Sequence, residues 1–135
     1  MIQLYNGDCL TEILKVPAES VDMVFSDLPY GTTACEWDNI ISLDDMWREL
    51  NRVCKLSAPM LFTASQPFTS KLVCSNIKNF KCEWIYKKRC ASNFAQAKYM
   101  PMKEHESVLV FCRTRSPFYP IKETRVGGGE RTSKI

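Results

Sequence analysis

The residues best placed to do chemistry are Asp27-Leu28-Pro29-Tyr30-Gly31, directly after the apolar run VDMVF at 21–25. A carboxylate there can accept a hydrogen bond from an amino group. A proline-stiffened turn can present the main-chain carbonyl of Leu28 beside it. The Tyr30 ring can stack on a planar ring, a contact worth on the order of 1–3 kcal/mol for a nucleobase. Together these suit the exocyclic amine of a base swung out of its stack. An ordinary turn, with Asp27 as a cap and Tyr30 as packing, uses the same residues, so the tetrapeptide alone leaves both readings open.

The other reactive side chains form no pattern. Cysteines stand at 9, 35, 54, 74, 82, 90 and 112, an odd number with no C-x-x-C pair, and His105 is the sole histidine. No zinc spacing results, so no metal site is expected. Free thiols in a reducing cytoplasm are, several of them buried as small apolar residues, with Cys35 among the packed ones.

Positioning these residues falls to an alternation of elements. Residues 2–6 (IQLYN) read as a short strand ending at Gly7-Asp8, and 9–15 as a short amphipathic helix stopped before Pro17. The run at 21–25 suits a strand buried on both faces. Ser42 starts a helix over 43–55, with Met46, Trp47, Leu50 and Val53 at helical spacing. MLFTAS (60–65) is a second buried strand, 67–77 a helix with Pro67 in its first turn, and KCEWIYKK (81–88) and SVLVFCR (107–113) two further strands. This order implies an α/β domain with a mostly parallel sheet and an antiparallel edge from the final pair. Ligands of such sheets bind beyond the carboxyl ends of the strands, where Asp8, Asp27 and Ser65-Gln66 fall.

Length and composition agree with one domain. The 135 residues are 45% hydrophobic and 24% charged, which excludes a disordered or low-complexity chain. No apolar run is long enough to span a membrane, and MIQLYNGDCL does not read as a secretory signal. Net charge is +3, but residues 1–77 carry five Lys/Arg against ten Asp/Glu and residues 78–135 carry thirteen against five. A basic second half joined to an acidic first half suggests a polyanion-binding surface, or a well-solvated basic face.

Read together, LYNGDCLTEILKVPAESVDMVFSDLPYGTT, LFTASQPFTSKLV and KYMPMKEHESVLVF resemble the amino-methylating DNA methyltransferases. The likeness is to the adenine-N6 enzymes of bacteria and phages, in the permuted group whose catalytic motif precedes the glycine-rich cofactor motif. It runs from residue 2 to about residue 120. It implies a partial Rossmann-like methyltransferase fold, S-adenosylmethionine as cofactor, double-stranded DNA as partner and a bacterial or phage-infected cytoplasm. It also implies transfer of a methyl group to an exocyclic amine, most simply adenine N6. The family's turn is Asp-Pro-Pro-Tyr; here Leu28 replaces the first proline, keeping the carbonyl and losing rigidity.

By this resemblance the catalytic residues are Asp27, Leu28, Pro29 and Tyr30. Asp8, Cys9 and Asp27 contact the cofactor, and Tyr30 and Phe94 contact the target base. Lys87, Lys88, Arg89, Lys98 and Lys103 contact DNA. The catalytic part spans 1–115, with a basic connection at 89–106, and 116–135 forms a flexible basic tail. The glycine-rich cofactor motif is missing, and Gly127-Gly128-Gly129 does not replace it, because it follows no buried strand. The sheet is therefore expected to lack the strands of that half, and a complementing chain or self-association to cover the gap. The alternative is a methyltransferase remnant that binds DNA or a protein without catalysis.

Overall fold

The computed structural model describes residues 1–33, 35 and 38–122. Its elements are α1 (Cys9–Glu12), continued by a 3-10 turn (Ile13–Lys15), β1 (Val24–Asp27), α2 (Leu43–Val53), β2 (Met60–Ala64), α3 (Phe68–Ser75), β3 (Phe80–Ser92) and β4 (Lys103–Phe111). Among the described residues the sheet has four strands in the order β1-β2-β4-β3. β1 and β2 are parallel, and β4 runs against both β2 and β3. Three strands thus point one way. The antiparallel strand is inserted between β2 and β3, so β3 forms the edge.

The core lies on one face. Met60, Phe62 and Ala64 alternate along β2 and are wholly buried with Phe111 and Leu109 of β4. Against them pack Met46, Trp47, Leu50 and Val53 of α2 and Phe68 and Leu72 of α3. Trp47 sits at the centre, its ring 5.0 Å from Phe111 and 5.5 Å from Phe62, while its indole N–H donates to Ser75 Oγ at 2.9 Å. Ser42 caps α2 by accepting from the Asp45 N–H, as its sequence position predicted. Arg52 ties the first helix to α2: its guanidinium donates to the carbonyls of Ile13 and Val16, both at 2.9 Å, and to Glu49. Those carbonyls lie at the two ends of the 3-10 turn, and that of Ile13 also accepts the Val16 N–H at 3.0 Å.

Three expectations need correction. Residues 2–6 form no strand: residues 1–6 are exposed and carry no regular structure. A strand needs a neighbour, and none of the described strands pairs with this segment. The run at 21–25 is not buried on both faces. β1 begins at Val24, Val21 makes only an isolated bridge to Cys54, and Phe25 is 62% exposed. β2 flanks β1 on one side alone, and the helices cover a single face. Third, only Cys54 and Cys112 are buried; Cys35 is exposed, not packed.

The strands also run further than their apolar patterns suggested. β3 extends to Ser92 and β4 begins at Lys103, so much of the basic connection at 89–106 is hairpin, with a 3-10 turn at Phe94–Gln96. Residues 123–135, including Gly127–Gly129, lie outside the described residues.

The one-faced core makes a contrast in stability measurable. Phe62→Ala should lower the unfolding free energy by about 3–5 kcal/mol. Phe25→Ala, on the bare face of the edge strand, should change it by less than about 1 kcal/mol in the same urea titration.

Candidate active site

β1 delivers Asp27 at its carboxyl end, and the register places it opposite Thr63 of β2. Thr63 is the one polar residue in an otherwise apolar strand, and its hydroxyl donates a short hydrogen bond to Asp27 Oδ1. The Tyr30 hydroxyl lies 2.9 Å from the same Oδ1 and 3.0 Å from Thr63 Oγ1. Both contacts to the Asp27 carboxylate fall on Oδ1. Oδ2 has no hydrogen bond among the described residues.

The Tyr30 ring is fixed from behind. It stacks on Phe68, at the start of α3, with centroids 5.4 Å apart and planes 20° from parallel. Burial pushes the Tyr30 phenol up to about 12, and the negative charge of Asp27 adds to the shift against the opposing bond from Thr63. The hydroxyl therefore stays protonated at neutral pH and remains able to donate to a carboxylate.

The chain leaves the site through a tight loop. Gly31 has φ +66, and a Cβ there would stand 2.9 Å from Ile40 Cγ1, so both conformation and space call for glycine. Asp38 closes the loop. Its carboxylate accepts from the N–H groups of Gly31 (2.8 Å), Thr32 (2.9 Å) and Thr33 (2.7 Å), and from the Thr33 hydroxyl (2.8 Å). Asp38 is only 6% exposed. The Gly31 N–H, then the Thr33 hydroxyl and the remaining amides, hold its carboxyl down at about 2. A cavity of about 200 Å³ opens beside these groups, lined by residues 27–30, Thr32, Thr33, Asp38 and Glu106.

The structure brings together Asp27, Leu28, Pro29 and Tyr30, but not the other candidates. Asp8 caps α1, accepting from the Thr11 N–H at 3.0 Å and the Thr11 hydroxyl at 3.1 Å, and it does not line the Asp27 cavity. Cys9 lines a separate apolar cavity of about 160 Å³ that also touches Ser26 and Leu28. Phe94 is 84% exposed on the hairpin loop. Lys88 pairs with Glu106, and the Lys103 ammonium bonds Ser65 Oγ, whereas Lys87, Arg89 and Lys98 are exposed. Thr63, Phe68 and Asp38 are site residues that sequence reasoning did not single out. A threonine breaking the run MLFTA was the available signal for the first. Asp38 had none, because its role depends on where the loop folds back.

Among the described residues no cluster of His, Cys, Asp or Glu could hold a metal ion, and no helix is long and apolar enough to cross a membrane. No protein-family model matches the sequence. The DNA adenine methyltransferase YhdJ of Escherichia coli (strain K12) is 41% identical over 46 residues, which is 34% of this chain and 14% of that protein. Among solved structures, the PvuII DNA methyltransferase (cytosine-N4-specific) superposes with a TM-score of 0.64 at 16% identity, covering 84% of this chain and 49% of that one. The M1.HpyAVI–SAM complex gives 0.64 at 19%, covering 93% and 63%. The chain shares the α/β fold of these methyltransferases over part of their length. TTHA0409 of Thermus thermophilus, complexed with S-adenosyl-L-methionine, gives 0.55 at 20%, covering 88% and 57%. This chain thus spans less than two thirds of the length of each of these relatives.

The clamp at Asp38 gives a pH signature. Its folded value of about 2 lies below the ordinary 3.8, so its stabilisation is complete above about pH 4 and is lost as pH falls towards 2. Asp38→Asn should therefore be less stable than the parent at pH 6. Its urea midpoint should also fall less steeply between pH 4 and pH 2.

Proposed function

We propose that this chain carries the catalytic half of a DNA amino-methyltransferase, which moves a methyl group from S-adenosylmethionine to the exocyclic amine of a flipped base. The observation that carries the reading is the Asp27 carboxylate on a methyltransferase fold, with Oδ1 held by Tyr30 and Thr63 and Oδ2 unbonded among the described residues. In this reading one amine N–H donates to Oδ2 and the other to the Leu28 carbonyl. The nitrogen lone pair then points at the methyl carbon. When bound, S-adenosylmethionine would supply the methyl group: the N–C bond would form as the C–S bond breaks in line, with S-adenosylhomocysteine as leaving group and one amine proton passing to solvent water. The protein's contribution is orientation and fixed dipoles.

Adenine N6 is the favoured target, on the 41% identity to an adenine methyltransferase; the cytosine-N4 specificity named for one structural neighbour makes cytosine the second base to test. Tyr30 has one ring face against Phe68, which leaves the other for the base; in this reading Phe94, on the hairpin loop, would contact the base from its other side. The permuted motif order, the cofactor contacts of Asp8 and Cys9, and a cytoplasmic setting belong to the same reading. The remaining cofactor contacts come from a complementing chain or a second copy, which would also cover the free side of β1. Two neighbours solved with S-adenosylmethionine support it as the donor.

Transfer of tritiated methyl from S-adenosylmethionine to duplex DNA tests the proposal. Incorporation should be measurable and should fall about 100-fold or more in Asp27→Ala, the scale of losing a group that orients the reacting atom. Digestion of the product to nucleosides should place the label on N6-methyladenine. Equal incorporation by parent and Asp27→Ala would remove Asp27 from the reaction.

A further inference from the structure

The hairpin of β3 and β4 divides its cations into two sets. Register pairs Ala64, the last residue of β2, with Ser107, so Lys103–Glu106 and the β3 residues opposite them extend past the carboxyl ends of β1 and β2. This is the end of the sheet at which Asp27 lies. Within that extension Lys88 forms an ion pair with Glu106, which itself lines the Asp27 cavity, and the Lys103 ammonium bonds Ser65 Oγ just beyond β2. Both lysines are half-buried.

Lys87, Arg89 and Lys98 are exposed and make no ion pair among the described residues. Lys87 lies opposite His105, and Ile85 opposite Ser107, so these four share a face. Further down the same face Leu109 and Phe111 meet the helices. Beyond Ser107 the helical layer has ended and the face is bare. It carries positive charge there in a chain whose first 77 residues are acidic.

We propose that this exposed distal part of the hairpin, with its loop, is a docking surface for the sugar–phosphate backbone of duplex DNA, gripped by Lys87, Arg89 and Lys98. Lys88 and Lys103 are internal ties of the hairpin and make no phosphate contact. The inference rests on the DNA reading above and sharpens it, since the five cations are no longer equivalent. The discrimination is electrostatic. A free cation that neutralises a phosphate releases a condensed counterion and adds about 0.9 to the slope of log affinity against log salt. A lysine already engaged with a carboxylate or hydroxyl inside the fold has no such release to offer.

The experiment is fluorescence anisotropy of a labelled duplex of about 20 base pairs with the full chain, from about 50 to 300 mM KCl. Lys87→Ala/Arg89→Ala should shrink the salt slope by about 1.8, and adding Lys98→Ala should bring the loss to about 2.7. Lys88→Met and Lys103→Met should leave the slope unchanged while speeding amide exchange in the hairpin. Lys88→Gln and Lys103→Gln serve should the methionine variants not fold. Slope losses of similar size at all five positions, or losses confined to Lys88 and Lys103, would overturn this partition and leave DNA binding standing. A parent chain that binds no duplex at the lowest salt would overturn both. Equal affinity and slope for a heparin fragment but no duplex would overturn the DNA assignment of this surface.

Discussion

Three consecutive backbone N–H groups, at Gly31, Thr32 and Thr33, must find acceptors where the chain turns away from β1, and one carboxylate accepts from all of them. The loop that follows the site owes its shape to that constraint. With Asp38 in place, Gly31 can hold its left-handed conformation against Ile40. Pro29 and Tyr30 are then delivered at a defined angle from the end of β1. Tyr30 reaches Thr63 and Asp27 with its hydroxyl and Phe68 with its ring, so the turn is held from β2 and α3 as well. Those two elements are in turn fixed by the core around Trp47, Phe62 and Phe111. The core supplies rigidity, and the buried acid converts it into the position of an exposed one.

The sheet is built for company it does not have among the described residues. β1 is flanked by β2 alone, and its residue Phe25 is exposed. On the face away from the helices, Met23, Leu61, Trp84 and Val110 line an apolar groove of about 810 Å³, along which residues 114–118 run. Parallel strands are ordinarily covered on both faces, and free edges invite pairing. The solved neighbours, of which this chain spans 49–63%, bring further chain to the same fold.

Much of this was legible in the sequence. The apolar spacing of Met46, Trp47, Leu50 and Val53 gave α2 with its Ser42 cap, the run MLFTA gave β2, and the turn at 27–31 stood out by residue type alone. The failures have physical causes. IQLYN has the composition of a strand, but strands are pairwise objects and composition does not say whether a partner is present. VDMVF reads as doubly buried for the same reason: burial belongs to the neighbours. The hairpin was read short because its distal half is polar on both faces, and alternation has nothing to report there. Asp8 was legible as a cap or a ligand, and the structure shows the cap. Asp38, Thr63 and Phe68 act through contacts 5 to 38 residues away in sequence, which no local pattern encodes.

A buried carboxylate organises the loop behind the Asp27–Tyr30 turn, and amide hydrogen exchange followed by NMR tests this most directly. The N–H groups of Gly31, Thr32 and Thr33 should be protected in the parent chain, although they belong to no helix or strand, and Asp38→Ala should release all three together while β2 and α2 keep their protection. Rapid exchange of these amides in the parent, or protection that survives Asp38→Ala, would contradict it.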